Sequence, residues 1–121
     1  MTVAAASSFY VEQVRKVTVL CFTTRALCEQ NYEVVADELL EFVTLVTAER
    51  PIRVVAELSS VYQIDDLGLA MLQAFNDSID DAGGTLILCR VQASVMAAIT
   101  KAGLRCEFNF RDTRGEAMWS F

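Results

Sequence analysis

The chain has 121 residues, enough for one domain and short for two, and with 54% hydrophobic residues it can build a full core without disulfides or metal. Its net charge is −6 and its ten basic residues form no cluster, which argues against nucleic acid or an anionic membrane surface as partner. Histidine is absent, which removes the commonest general base and metal ligand.

No apolar stretch approaches the ~20 residues of a membrane-spanning helix, so no membrane insertion is expected. Residues 1–8 lack the basic start and long apolar core of a secretory signal. Cys21, Cys28, Cys89 and Cys106 show no Cys-x-x-Cys spacing, and three of them lie in or beside apolar runs, as small buried hydrophobes do. These features lead to the expectation of a reduced, cytoplasmic protein.

Residues 1–6 are small and expected to fray, within one domain spanning 1–121. Ser7–Val11 and Val17–Phe22 are short β-leaning runs, suggesting a hairpin across a connector holding Glu12, Arg15 and Lys16. Thr23–Cys28 reads as a plain connection. Residues 29–48 read as a long helix, because Val35, Leu39, Phe42 and Val46 recur at helical spacing. Opposite them, Glu29, Glu33, Asp37 and Glu41 follow every four residues with no cation between. Like charges so spaced cost a few tenths of a kcal/mol each. This ridge is either an ordinary wetted face or a surface for a basic partner. Pro51 closes the segment.

Ile52–Leu58 lacks strict alternation, as befits a strand covered on both faces of a parallel sheet. A helix is expected over about 66–82, with Leu69, Leu72, Phe75 or Asn76, and Ile79 on one side. Asp77, Asp80 and Asp81 sit toward its C-terminal end, where anions are disfavoured, and Gly83-Gly84 supplies the left-handed stop. Thr85–Val91 is a second buried-type strand. Residues 93–102 form a shorter helix, carrying Val95, Ile99 and Ala102 and ended by Gly103. Cys106, Phe108 and Phe110 alternate with Glu107 and Asn109, suggesting a strand near an edge. Thr113-Arg114-Gly115-Glu116 has capping-box spacing and opens a last helix. Its Met118, Trp119 and Phe121 are expected to pack back on the sheet rather than form an aromatic tail. Strand and helix alternate from residue 29 onward, so the class is α/β with parallel strands joined by right-handed crossovers.

The most informative stretch is 54–69, where an apolar run meets a polar loop and a helix starts at once. A helix N-terminus exposes unpaired N–H groups and favours anions. Asp65 and Asp66 lie there, and taken alone read as an N-cap with an acidic first turn. Strand, Leu-Ser-Ser-Val, Ile-Asp-Asp-Leu-Gly-Leu and a helix closed by Ala-Gly-Gly-Thr-Leu together resemble the STAS domain family of sulfate transporters and bacterial anti-sigma-factor antagonists. The resemblance covers residues 17–121. It implies a STAS-like fold, a mixed, mostly parallel sheet of four or five strands with about four helices packed against it. It also places Glu57 where the family strand carries Asp, matches Asp65, Gly68 and Leu69 to its Asp-Ser-Ser/Ala-Gly-Leu motif, and puts Asp66 at the phosphoacceptor position. The usual Ser or Thr is thus replaced at that site.

Catalysis finds little to use. There is no Ser-His pairing, glycine-rich phosphate loop or His/Cys metal set, so no enzyme, cofactor or metal is expected. The resemblance instead implies a protein–protein interaction module that docks on an anti-sigma factor, often a serine kinase, through Ser59, Ser60, Asp65, Asp66, Leu67, Gly68 and Leu69. It also admits a scaffold subunit of a stressosome-like assembly or an accessory subunit on the ATPase of an ABC transporter, and leaves a homodimer or larger assembly open.

Overall fold

A computed structural model describes residues 8–121, so the fraying expected of residues 1–6 and the strand start at Ser7 lie outside the described residues. In chain order the elements are β1 (Phe9–Val14), β2 (Val17–Phe22), β3 (Ala26–Leu27), α1 (Tyr32–Val46), β4 (Arg53–Glu57), β5 (Gln63–Ile64), α2 (Asp66–Asp81), β6 (Thr85–Cys89), α3 (Ala93–Lys101), β7 (Asn109–Arg111) and α4 (Arg114–Met118). The main sheet has the order β1-β2-β4-β6-β7; only β1 and β2 are antiparallel, and β3 and β5 form a separate parallel pair. Among the described residues the sheet is thus mixed and mostly parallel, with five strands and four helices, within the expected four or five strands and about four helices.

Alternation along each strand divides the core. Leu20, Val54, Ala56, Leu86 and Leu88 point to one face, where α1, α2 and α3 cover them with Val35, Leu39, Phe42, Leu72, Phe75, Ile79, Val95 and Ile99. Phe9, Phe42 and Phe75 tie β1 to both long helices through edge-on ring contacts at 6.1 and 5.9 Å. On the other face Val17, Val19, Cys21, Val55, Ile87 and Cys89 lie under the short α4, which buries Ala117 against them.

Several boundaries differ from expectation. β1 runs past Val11 to Val14, leaving only Arg15-Lys16 as the turn, with Arg15 in the left-handed region at φ +59°. α1 begins at Tyr32 rather than 29. The Asn31 side chain is spent on the preceding loop, donating to the Ala26 carbonyl at 2.8 Å and accepting from the Cys28 N–H at 3.0 Å. Glu29 therefore leaves the acidic ridge. The strand expected around Cys106–Phe110 is a 3-10 turn (Arg105–Glu107) followed by β7 alone, which does form the sheet edge. Asn76 of α2 holds this turn by donating to the Glu107 carbonyl at 3.1 Å, and Phe108 drops into the core while Cys106 faces solvent.

The stop signals act as read: Gly83 has φ +84° and Gly103 φ +76°. Thr113 Oγ1 accepts from the Glu116 N–H at 3.1 Å, but the Glu116 carboxylate reaches back to the Asp112 N–H rather than to that of Thr113. The apolar residues at the C-terminal end divide. Met118 packs under the sheet, whereas Phe121 is exposed and Trp119 is 80% exposed with the Arg15 guanidinium 5.8 Å from its ring centre, contrary to the expected packing. Five helical residues bring one side, that of Ala117, onto the sheet, and Trp119 lies beyond them.

Candidate functional site

The two adjacent aspartates at the start of α2 face different ways. Asp65, extended at φ −109° and ψ −172°, is the N-cap: Oδ1 accepts from the Gly68 N–H at 2.9 Å. Oδ2 accepts from the Glu29 N–H, also at 2.9 Å, so one carboxylate closes the helix and fastens the loop ahead of α1. The Gly68 and Glu29 N–H groups hold its pKa below the ordinary carboxylate value. Asp66 is the first helical residue and is exposed, beside exposed Leu67, while Gly68 and Leu69 are buried. The N-cap and acidic first turn are thus both present.

The surface around this tip is braced from below. β3 pairs with β5 in register Ala26 to Gln63 and Leu27 to Ile64, and the Leu27 carbonyl also accepts from the Asp65 N–H at 3.2 Å. A Cβ on Gly68 would overlap that Leu27 carbonyl oxygen and come within 2.8 Å of Ile64 Cγ1, so only glycine lets α2 approach so closely. From the other side, Gln92 donates to the Ser59 carbonyl and Ser94 Oγ to the Tyr62 carbonyl, each at 2.7 Å. The Arg25 guanidinium lies 5.2 Å from the centre of the exposed Tyr62 ring. The result is a fixed ledge carrying Tyr62, Asp66 and Leu67, with half-buried Ser59 and Ser60 in the turn beside it. Sequence reasoning missed Arg25, Leu27, Gln92 and Ser94; two-residue strands have no periodicity, and the tight Gly68 was their only trace.

Glu57 does not join that ledge. It points to the opposite face of the sheet, where Oε1 accepts from Arg114 Nε at 3.0 Å and Oε2 from Ser59 Oγ at 3.1 Å. Arg114 also meets Glu12 at 3.5 Å and donates to Cys21 Sγ at 3.0 Å. Burial pushes the Cys21 thiol pKa up, and burial with the nearby Glu57 charge pushes that of Cys89 to about 12, so both stay protonated. All four cysteines are free. Among the described residues no helix is long and apolar enough to cross a membrane.

A mostly parallel α/β sheet with a braced loop and helix tip defines the class, and the STAS domain model matches residues 12–117. The chain belongs to the STAS domain family. Its fold is similar to a candidate anti-sigma factor antagonist of Thermotoga maritima (22% identity, TM-score 0.81, 94% of each chain covered). It is also similar to an anti-sigma factor antagonist of Mycobacterium paratuberculosis (18%, TM-score 0.74, 93% of this chain and 91% of that one). The murine anion transporter Slc26a9 shares the fold in part of its length (14%, TM-score 0.74, 91% of this chain but 18% of that one). At these identities the likeness shows the anti-sigma-factor-antagonist-like STAS fold. No curated protein matches the chain by sequence.

Proposed function

We propose that this chain is a non-catalytic, cytoplasmic interaction module of the anti-sigma-factor antagonist type, acting on an anti-sigma factor that is also a serine kinase. Its contact surface is the loop and helix start containing Ser59, Ser60 and Asp65 to Leu69, with Asp66 at the phosphoacceptor position. One observation carries this reading: of two adjacent aspartates, Asp65 is consumed by capping and loop closure, whereas Asp66 presents its carboxylate on a braced, solvent-facing ledge. In relatives of this type a serine there becomes a phosphoserine of nearly two negative charges, which abolishes docking. Asp66 supplies one charge, on a shorter and planar group. It offers a serine kinase no hydroxyl, so docking here escapes control by serine phosphorylation at that residue.

Affinity capture from the native host, with wild type and Asp66→Ser as baits, tests this directly. The expected catch is an ATP-binding serine kinase, and the same kinase should phosphorylate the serine variant but leave residues 57–69 of the wild type unmodified. Phosphate on that wild-type segment, or no kinase with either bait, overturns the reading. The partial likeness to Slc26a9 favours one second reading, a STAS subunit serving a transporter. Co-purification of a transport ATPase would establish it in place of the first, and a large shell by light scattering would indicate a scaffold subunit instead.

A further inference from the structure

The tip of α2 leaves a second surface unused, on the outward side of α1. Val35, Leu39 and Phe42 face the sheet, and at about 100° per residue the opposite side carries Glu33, Asp37 and Glu41 in one line. Each of these carboxylates is exposed. Flanking them are Val34, Leu40 and Leu45, exposed by 52%, 66% and 63%. Val34 and Leu45 lie about 16 Å apart along the axis, three helical turns. α1 contains no Lys or Arg to neutralise the line.

α2 supplies the contrast. Its exposed Asp77, Asp80 and Asp81 have only Ala70 and Ala74 as exposed apolar neighbours in the body of the helix, as expected of a wetted face. On α1 the acids alternate with large aliphatic side chains instead. Solubility requires no exposed leucine, and unneutralised carboxylates one turn apart weaken the helix that bears them. Both costs are relieved by one kind of partner, which brings cations to the line and apolar side chains to its borders.

We propose that the outward face of α1 is a docking surface for a cationic amphipathic segment of another protein, whose Lys or Arg side chains meet Glu33, Asp37 and Glu41 while apolar side chains beside them cover Leu40 on one border of that line and Val34 and Leu45 on the other. This goes beyond the reading of the α2 tip and does not depend on it.

The test uses the full, isotope-labelled chain titrated with a synthetic 14-residue Leu/Lys amphipathic helical peptide, and separately with its Leu/Glu counterpart. The Leu/Lys peptide should bind and shift the amide signals of residues 33–45, whereas the Leu/Glu peptide should not bind. Leu40→Gln/Leu45→Gln should weaken binding about tenfold, and Asp37→Lys/Glu41→Lys should abolish it. Both variants change only exposed side chains, and unchanged far-ultraviolet circular dichroism checks their folding. Asp66→Ser should bind the peptide as wild type does. The proposal is overturned if wild type ignores the peptide, or if the shifts fall on α2. It is equally overturned if the leucine variant binds undiminished, since charge alone would then suffice. Self-association of wild type that Leu40→Gln/Leu45→Gln dissolves also overturns it, because a second copy would then cover the face.

Discussion

Two N–H groups separated by 39 positions in the chain, those of Gly68 and Glu29, converge on the Asp65 carboxylate at 2.9 Å each. They stabilise its charged form, so the folded pKa lies below the ordinary 3.8. The resulting stabilisation is complete above the unfolded value and disappears as the pH falls through the folded one. Asp65→Asn keeps an oxygen for the Gly68 N–H but gives up the charge. Its melting temperature should fall a few degrees below wild type at neutral pH, and the gap should close on the acid side of 3.8. Asp65→Ala loses the acceptor as well and should stay below wild type throughout, because the cap is gone at every pH. A gap between wild type and the asparagine variant that stays constant with pH would deny the carboxylate its double role. Asp66, one residue on and turned outward, has no comparable task in holding the fold together.

At the level of elements, the ledge depends on α2 sitting directly against β3. Gly68→Ala drives a methyl group into the Leu27 carbonyl, and the neighbour is backbone, which cannot swing aside. The expected cost is about 2–3 kcal/mol in urea unfolding, with partner capture reduced even where the variant remains folded. The sequence revealed α2 and its start because a long apolar period and an acidic cap reinforce each other there. It revealed the stripe of α1 for the same reason, but placed its start three residues early. What delays α1 is the Asn31 amide serving the loop behind it, a contact with no signature in local spacing. β3 and β5 were invisible, since two residues carry no alternation and their pairing joins positions 37 apart. Around Cys106 the reverse occurred: two phenylalanines two apart imitated a strand, while one of them plugs the core below a 3-10 turn. The stretch that forms the ledge was legible in the sequence; the residues that brace it were not.

Across the whole molecule the sheet is covered unequally. One face carries α1, α2 and α3, of 15, 16 and 9 residues, and the other carries α4, of 5. A five-residue helix is not stable by itself, so α4 stays down through Ala117, its Thr113 cap and the Arg114 contacts with Glu57, Glu12 and Cys21. Opening free energies within a fold are not uniform, and so short a cover has little to lose on lifting. Cys21 and Cys89 are buried on the face it guards and report on it. With both thiols held protonated they react only when uncovered, whereas Cys106 is exposed throughout and half-buried Cys28 is intermediate. Labelling with an aromatic disulfide reagent at neutral pH should therefore modify Cys106 at once, Cys28 next, and Cys21 and Cys89 slowly and together. Their rate should depend on urea far less than global unfolding does, because lifting α4 exposes little surface. Gly115→Ala adds a methyl group with only an ordinary 3.8 Å contact to Thr113 Oγ1 and favours the helix, so it should slow this labelling about two- to fivefold. Arg114→Met should accelerate it. If Cys21 and Cys89 instead follow the full urea dependence of unfolding, α4 does not move by itself and the two faces of the sheet open as one.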